Sequence, residues 1–446
     1  MATIGIEIVD AAVTVVRDGV RLASSPGIAL FDAAGVVIGE AAAATARLQP
    51  VLASDRFWSD LAQDSLAGPS DRARSHADLA HAHLTQLWRA TAHEGDTAVY
   101  AVPGSMRLHQ VGLLLGVTRA AGIPVVGVVD SAVAACAGLV ARASVLHLDV
   151  QLHQTVLTEL QGATMMRRRR VEIAPRAGLK VMFSAWAQLV SEAMVRRTRF
   201  DPLHQAASEQ QLYQRLPGWI GELSGRDSLD VAIETEAGSF GATLRREQFT
   251  LAAEAWYAQI SELLRGAHRA DESTTLVLSA RAAMLPALGE RLASLSGIEL
   301  QSLPDTAAAA SAAARADEIG PGDPPALVTA LARSHPLAGG DRRREDAASA
   351  THIIHEGRAY AIDDQPLVIG LGPGDGRRIA LGGAGEGISH AHCTLVRRTD
   401  RALIRDHSRH GTFLNGERVD GEIGLGPGDR LRVGTPGVVF ELVTVG

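Results

Sequence analysis

Two short stretches late in the chain gather the side chains best suited to grip an anion. ISHAHCTL, Ile388–Leu395, carries Ser389, His390 and His392, and SRHGTFLNG, Ser408–Gly416, carries Arg409, His410, Gly411, Thr412 and Asn415. A phosphoryl group brings about −1.5 to −2 charge and three acceptor oxygens, so it calls for charge-assisted donors. A guanidinium is always charged, whereas an imidazole is charged only below about pH 6.5. Gly411 suits a turn conformation closed to other residues. For Ser389, His390, Arg409 and His410 the choice lies between ligand contact and a solvated loop rim.

Other chemistries find less support. Ser279 and Ser389 have no assignable base, and no Gly-x-Ser-x-Gly elbow occurs. His81 and His83 are two apart and do not share a helix face, and no Cys or carboxylate completes a ligand set with His76. The hexapeptide GLGPGD occurs at 370–375 and 424–429, but no Gly-Lys-Ser/Thr follows, so both copies read as turn chemistry. The arginine run at 167–170 reads as a solvated strand face. With a net charge of −7 the chain is not expected to bind nucleic acid.

The elements that must position these residues fall into two classes. The 446 residues allow two or three domains, and 46% apolar content with 4% aromatics means cores of Ala, Val and Leu. Strands such as IGIEIVD, IPVVGVVD, SVLHLDV, QTVLTEL and TTLVLSA interleave with helical periodicity over Ser105–Ala121, AVAACAGLVAR and most of 180–265, broken near Pro217-Gly218. That pattern is α/β. From 318 to 350 composition shifts to a charged, Gly- and Pro-rich linker holding one short helix, ALVTALA. From 351 to 446, THIIHEG, PLVIG, HCTLVRR, ALIRDH, TFLNG and DRLRVG alternate with Gly-rich turns, an all-β sandwich pattern. Cys136 and Cys393 do not suggest a disulfide framework, and no stretch reads as a signal or membrane span, so a cytoplasmic protein is expected.

The order PLVIG, ISHAHCTL, IRDHSRHGTFLNGERV and LGPGDRLRVG resembles forkhead-associated (FHA) domains across about 351–446. The resemblance implies a β-sandwich whose end loops bind phosphothreonine peptides. The family's anchors are an arginine after the Ile-Gly of an early strand, the serine of the Ser-x-x-His block with a basic neighbour, and an asparagine before Gly-Thr. These positions hold Leu371, Ser389, His390 and His410 here. Arg377, Arg378 and Arg409 are the candidates to replace lost charge. By the same resemblance His392 holds the loops from inside, and Thr412 and Asn415 brace them.

Residues 1–317 resemble the actin/Hsp70-like fold, two lobes around a cleft, through SPGIALFDAAGVVIGEAA, the Val-Pro segment AVPGSMRLHQ, HLDVQLHQTVLTEL and LVLSARAAMLPAL. In that family two hairpin turns hold ATP phosphates with glycines, and aspartates organise Mg²⁺. Here Glu7 and Val9 replace the first turn's aspartate and glycine, Asp149 is kept, Gln151 and His153 replace glycines, and Ser279-Ala280 replaces the Gly-Gly of the adenosine turn. A left-handed Val9 would cost about 1–2 kcal/mol. Glu7, Asp149 and Glu159 could form an acidic cluster. The expected protein is not an enzyme and has no cofactor, neither ATP nor Mg²⁺. It is a scaffold or regulator whose FHA-like module docks a phosphorylated or acidic segment of a protein partner. An Hsp70-like ATPase or chaperone tuned by that module, and an assembly or filament component that oligomerises, are the alternatives.

Overall fold

The structure is a computed structural model that describes residues 2–32, 35–64, 75–142, 144–268, 273–320, 322, 325–335, 349–355, 357–374, 376–381, 387–398, 401–414, 417–419, 421–427, 429–434 and 437–444. The chain divides into two compact units, Met1–Pro336 and Leu337–Gly446.

The N-terminal unit is α/β. β1 (Thr3–Ile8), β2 (Val13–Arg17) and β3 (Val20–Ser25) form an antiparallel meander, and β4 (Ala29–Asp32), β5 (Gly35–Ile38) and β6 (Ala53–Ser54) form a small separate sheet. β7 (Thr97–Val102) then pairs parallel with β1, and β8 (Val125–Asp130) parallel with β7. The same plan follows a second time. β9 (Ser144–Val150), β10 (Gln154–Gln161) and β11 (Met165–Pro175) form a meander. After the hairpin of β12 (Ser228–Thr235) and β13 (Gly238–Arg245), β14 (Thr274–Leu278) joins β9 in parallel and β15 (Ile298–Ser302) joins β14. β1 and β14 are buried almost throughout because helices cover both faces of their sheets.

Local chemistry explains the helix starts. Ser75 opens helix His76–Thr91 with a capping box, its Oγ accepting from Asp78 N while Asp78 accepts from Ser75 N. Asp130 caps Ser131–Ala137 by accepting from Ala132 N and Val133 N. Among the described residues no helix is long and apolar enough to cross a membrane.

Two expectations need correction. The segment ALVTALA is not a linker helix. It forms β16 (Leu327–Val328), parallel to β8, and β17 (Ala330–Ala332), antiparallel to β11, so each six-stranded sheet gains an outer strand. A helix this short pays its nucleation cost for few bonds, whereas two sheet edges offer ready partners. Leu331 is fully buried, and Arg333 donates to Ala141 O (2.6 Å), Gly162 O (3.1 Å) and Arg142 O (3.2 Å). Helix Ala206–Leu223 also continues through Pro217, and the helices of 180–265 are interrupted instead at 199–205 and by the β12–β13 hairpin.

The C-terminal unit is all β. One sheet runs Arg358–Ala361, His352–His355, Val438–Val443, Arg430–Val433, Thr412–Leu414 and Glu417–Arg418. The other runs Arg377–Leu381, Leu367–Leu371, Cys393–Arg398, Arg401–Asp406 and Glu422–Gly424. Ile353, Leu431 and Phe440 from the first sheet pack with Ile369, Leu395 and Ile404 from the second in one core, which makes a sandwich.

Candidate functional site

At one end of the sandwich, His392 ties three loops together. It is fully buried. Its Nδ1 accepts from Ser389 N (3.0 Å), so the ring proton sits on Nε2, which donates to Gly411 O (3.1 Å). Burial pushes this imidazole below its ordinary value, so it stays neutral. Gly411 O also accepts from Gly434 N (3.2 Å). Gly411 has φ +86°, the left-handed region in which glycine is at ease. Next to it, Asp406 Oδ1 accepts from Ser408 N (3.0 Å) and from the buried Thr412 hydroxyl (2.7 Å), and Ser408 Oγ accepts from Gly411 N (2.7 Å). Burial raises the Asp406 carboxyl, but the hydrogen bonds from Thr412 and Ser408 outweigh it and hold the group below the usual range. Asn415 lies outside the described residues.

The anion-facing positions are less complete. Leu371 packs against the sandwich core, and its N–H donates to Ser389 O (3.1 Å). A Cβ on Gly370 would lie 2.0 Å from His390 O, so only glycine lets this strand approach the Ser389–His390 turn. Ser389 is half-buried, and its hydroxyl has no partner among the described residues; the exposed side chains of His390, Arg409 and His410 have none either. The three replacement arginines part company. Arg377 is committed to Asp363, Gln365 O (3.1 Å) and Ala361 O (2.6 Å). Arg378 reaches over Gly374 to donate to Gly372 O (3.2 Å) and His390 O (2.7 Å), and its buried Nε has no partner. Arg378 therefore supplies the guanidinium beside Ser389-His390, and Arg409 remains unattached on the rim.

In the N-terminal unit, Glu7 and Asp149 do come together, around a residue the sequence reading passed over. The Arg281 guanidinium donates through Nε to Asp149 Oδ1 (3.0 Å) and through Nη2 to Glu7 Oε1 (3.2 Å). All three side chains are nearly buried, at 13%, 7% and 8% exposure. Burial pushes Glu7 up, with Arg281 only partly opposing. Burial acts on Asp149 too, but the charge and hydrogen bond of Arg281 win and hold it down. Ser279 accepts from Ala282 N (3.2 Å) and caps a short turn. Glu159 takes no part; it pairs with Arg169 (3.6 Å), and Arg168 with Asp130 (2.8 Å), so part of the arginine run is internally matched. The signal for Arg281 was a lone cation in the apolar segment LVLSARAAM.

The two turns also meet. Asp10 accepts from Leu152 N (2.8 Å) and His153 N (3.3 Å), so a carboxylate of the first turn sits on the amides of the second. His153 Nε2 donates to Asp55 O (3.0 Å). Val9, Gln151 and His153 all have negative φ. The strain expected at Val9 is therefore not there: the chain turns without left-handed backbone, and Val9 is simply buried.

Two consequences can be measured. Arg281→Met leaves two buried carboxylates unmatched and should destabilise the N-terminal unit by about 3–5 kcal/mol in chemical denaturation. Adding Glu7→Gln and Asp149→Asn should return part of that loss. Asp406 has a depressed folded pKa, so its contribution is present above about pH 3.9 and is lost as pH falls through the folded value. Asp406→Asn should thus lower the melting temperature of the C-terminal unit at pH 7, with the gap to wild type closing below about pH 4.

None of the curated proteins matches the chain. Residues 367–434 match the family model of the FHA domain. The sandwich end built around Ser389, His392, Gly411 and Thr412 lies within this match to FHA domains, a family of protein-interaction modules that bind phosphothreonine-containing partners.

Proposed function

We propose that this chain is a non-catalytic scaffold or regulator, in which an actin/Hsp70-like N-terminal unit has given up its nucleotide and the FHA domain docks a phosphorylated partner segment. The sheet plan supports the first part: a meander followed by two parallel strands occurs twice, in the same order. The observation that carries the reading is the pair of internal charges between those sheets. Arg281 stands between Glu7 and Asp149, where a divalent cation would otherwise be organised. Asp10 stands on the Leu152 and His153 amides, where phosphate oxygens would otherwise be held. An incoming Mg-nucleotide must displace both. Breaking a buried, hydrogen-bonded charge pair costs about 3–5 kcal/mol, enough to weaken binding by several powers of ten.

In the FHA domain, Ser389 and Arg378 are the anion donors closest to hand, with His390, Arg409 and His410 on the rim. Replacement of the early-strand arginine by Leu371 removes one charge-assisted bond, so binding should be weaker than a full set of anchors would give.

Calorimetric titration of the full chain with Mg-ATP should give no binding in the micromolar range; a clear isotherm there would overturn the nucleotide-free reading. A peptide array in paired phosphothreonine and threonine versions should show capture of the phosphorylated member alone. Arg378→Ala should reduce that capture at least about tenfold, the size of one charge-assisted hydrogen bond. Equal capture of both members would mean that acidity or shape is read instead.

A further inference from the structure

Lys180 is the single lysine among 43 lysine and arginine residues. It stands in the first turn of helix Leu179–Thr198, on the wall of a cavity of about 390 Å³ inside the N-terminal unit. Phe183, Tyr213, Ile28, Leu152 and Leu179 make that wall largely apolar. The Arg47 guanidinium lies 3.5 Å over the Tyr213 ring and pairs with Glu209 (3.3 Å), which fixes one side. Gln210 and Gln214, also on the wall, spend their amides on Arg47 N, Ala43 O and Ala44 O. The polar groups with capacity left are few.

Lys180 is one of them. Its ammonium has three donors and gives one to Asp55, while 44% of the side chain stays exposed. Asp55 in turn is paired with both Lys180 and His153. Burial raises its carboxyl, but the hydrogen bonds from His153 and Lys180 hold it far below the usual range. The imidazole of His153 is correspondingly raised by Asp55 against its own burial. Lys180 and His153 thus share the Asp55 carboxylate, and Lys180, which is on the cavity wall, has donor capacity left over. Glu40 is the other carboxylate on the wall. An apolar enclosure of this size with a few convergent polar groups is the ordinary form of a small-molecule site. A compact ammonium on a flexible stem places a point charge there, which a planar guanidinium fork does not do in the same way.

We propose that this cavity binds a small aromatic monoanion, its rings between Phe183 and Tyr213 and its acidic head on Lys180. This goes beyond the FHA reading and does not depend on it.

The chain's scarcity of lysine makes the test direct. Reductive methylation of the full-length protein with ¹³C-formaldehyde labels only Lys180 and the α-amino group, and Lys180→Arg assigns the two resonances. Titration with 8-anilinonaphthalene-1-sulfonate should shift the Lys180 methyl signal saturably. Lys180→Met should weaken the fluorescence-detected affinity about three- to fivefold, as expected of a half-exposed charge contact. Ala44→Phe, which fills the cavity, should abolish the shift while leaving the melting temperature near that of wild type. Dye fluorescence without a shift at Lys180, or a shift that survives Ala44→Phe in a folded protein, overturns the inference and leaves the nucleotide-free reading standing. Displacement of the dye by Mg-ATP overturns both.

Discussion

Arg281 carries a permanent positive charge into the interior of the N-terminal unit, and the arrangement around it follows from the need to match that charge. A guanidinium cannot shed its proton, and the cost of taking an ion out of water is several kcal/mol even after relaxation. The charge must be met at hydrogen-bond distance. Asp149 meets it from β9 and Glu7 from β1, so one side chain joins the two sheets. Asp10 repeats the device nearby, with a carboxylate from the first meander on two amides of the second. On the proposed reading, the chain supplies for itself both charges that a metal-bound nucleotide would bring.

The FHA domain separates scaffold from grip in a comparable way. The scaffold is closed: His392, Asp406, Ser408, Gly411 and Thr412 satisfy one another through a continuous set of hydrogen bonds. The grip is open, with the Ser389 hydroxyl and the exposed side chains of His390, Arg409 and His410 unengaged among the described residues. The side-chain hydrogen bonds that shape these loops thus come from residues other than His390, Arg409 and His410.

This difference explains what could be read from the sequence. The FHA domain was legible because its residues act locally: Gly411 answers a backbone conformation, Asp406 bonds two residues ahead, and strand alternation is written along 351–446. Arg281 and Asp10 were not legible, because their partners lie far along the chain and only packing of the two sheets brings them together. The run at 326–332 misled because a short apolar segment has no period long enough to tell helix from strand. The β12–β13 hairpin was missed although Gly238 marked its turn. Val9 misled for another reason: left-handed strain was expected there, but its φ is negative. Arg377 and Arg378 carry a final lesson. Neighbours in a strand point to opposite faces, so the two could never have served the same loop.

The duplicated sheet plan sharpens the meaning of Arg281. Glu7 is the penultimate residue of β1 and Asp149 the penultimate residue of β9, so the two carboxylates occupy equivalent places in the two halves. The cation does not follow that symmetry. Arg281 lies three residues beyond the end of β14, and the equivalent place beyond β7 holds Ser105. A single guanidinium must serve two equivalent acids, and its fork allows this, Nε to one and Nη2 to the other. The match is unequal. Burial pushes both carboxyls up; the charge and hydrogen bond of Arg281 hold Asp149 below its usual range, whereas at Glu7 burial outweighs Arg281. A divalent ion would have balanced both acids. On the proposed reading, the cluster with Arg281 holds one acid below its usual range while burial raises the other.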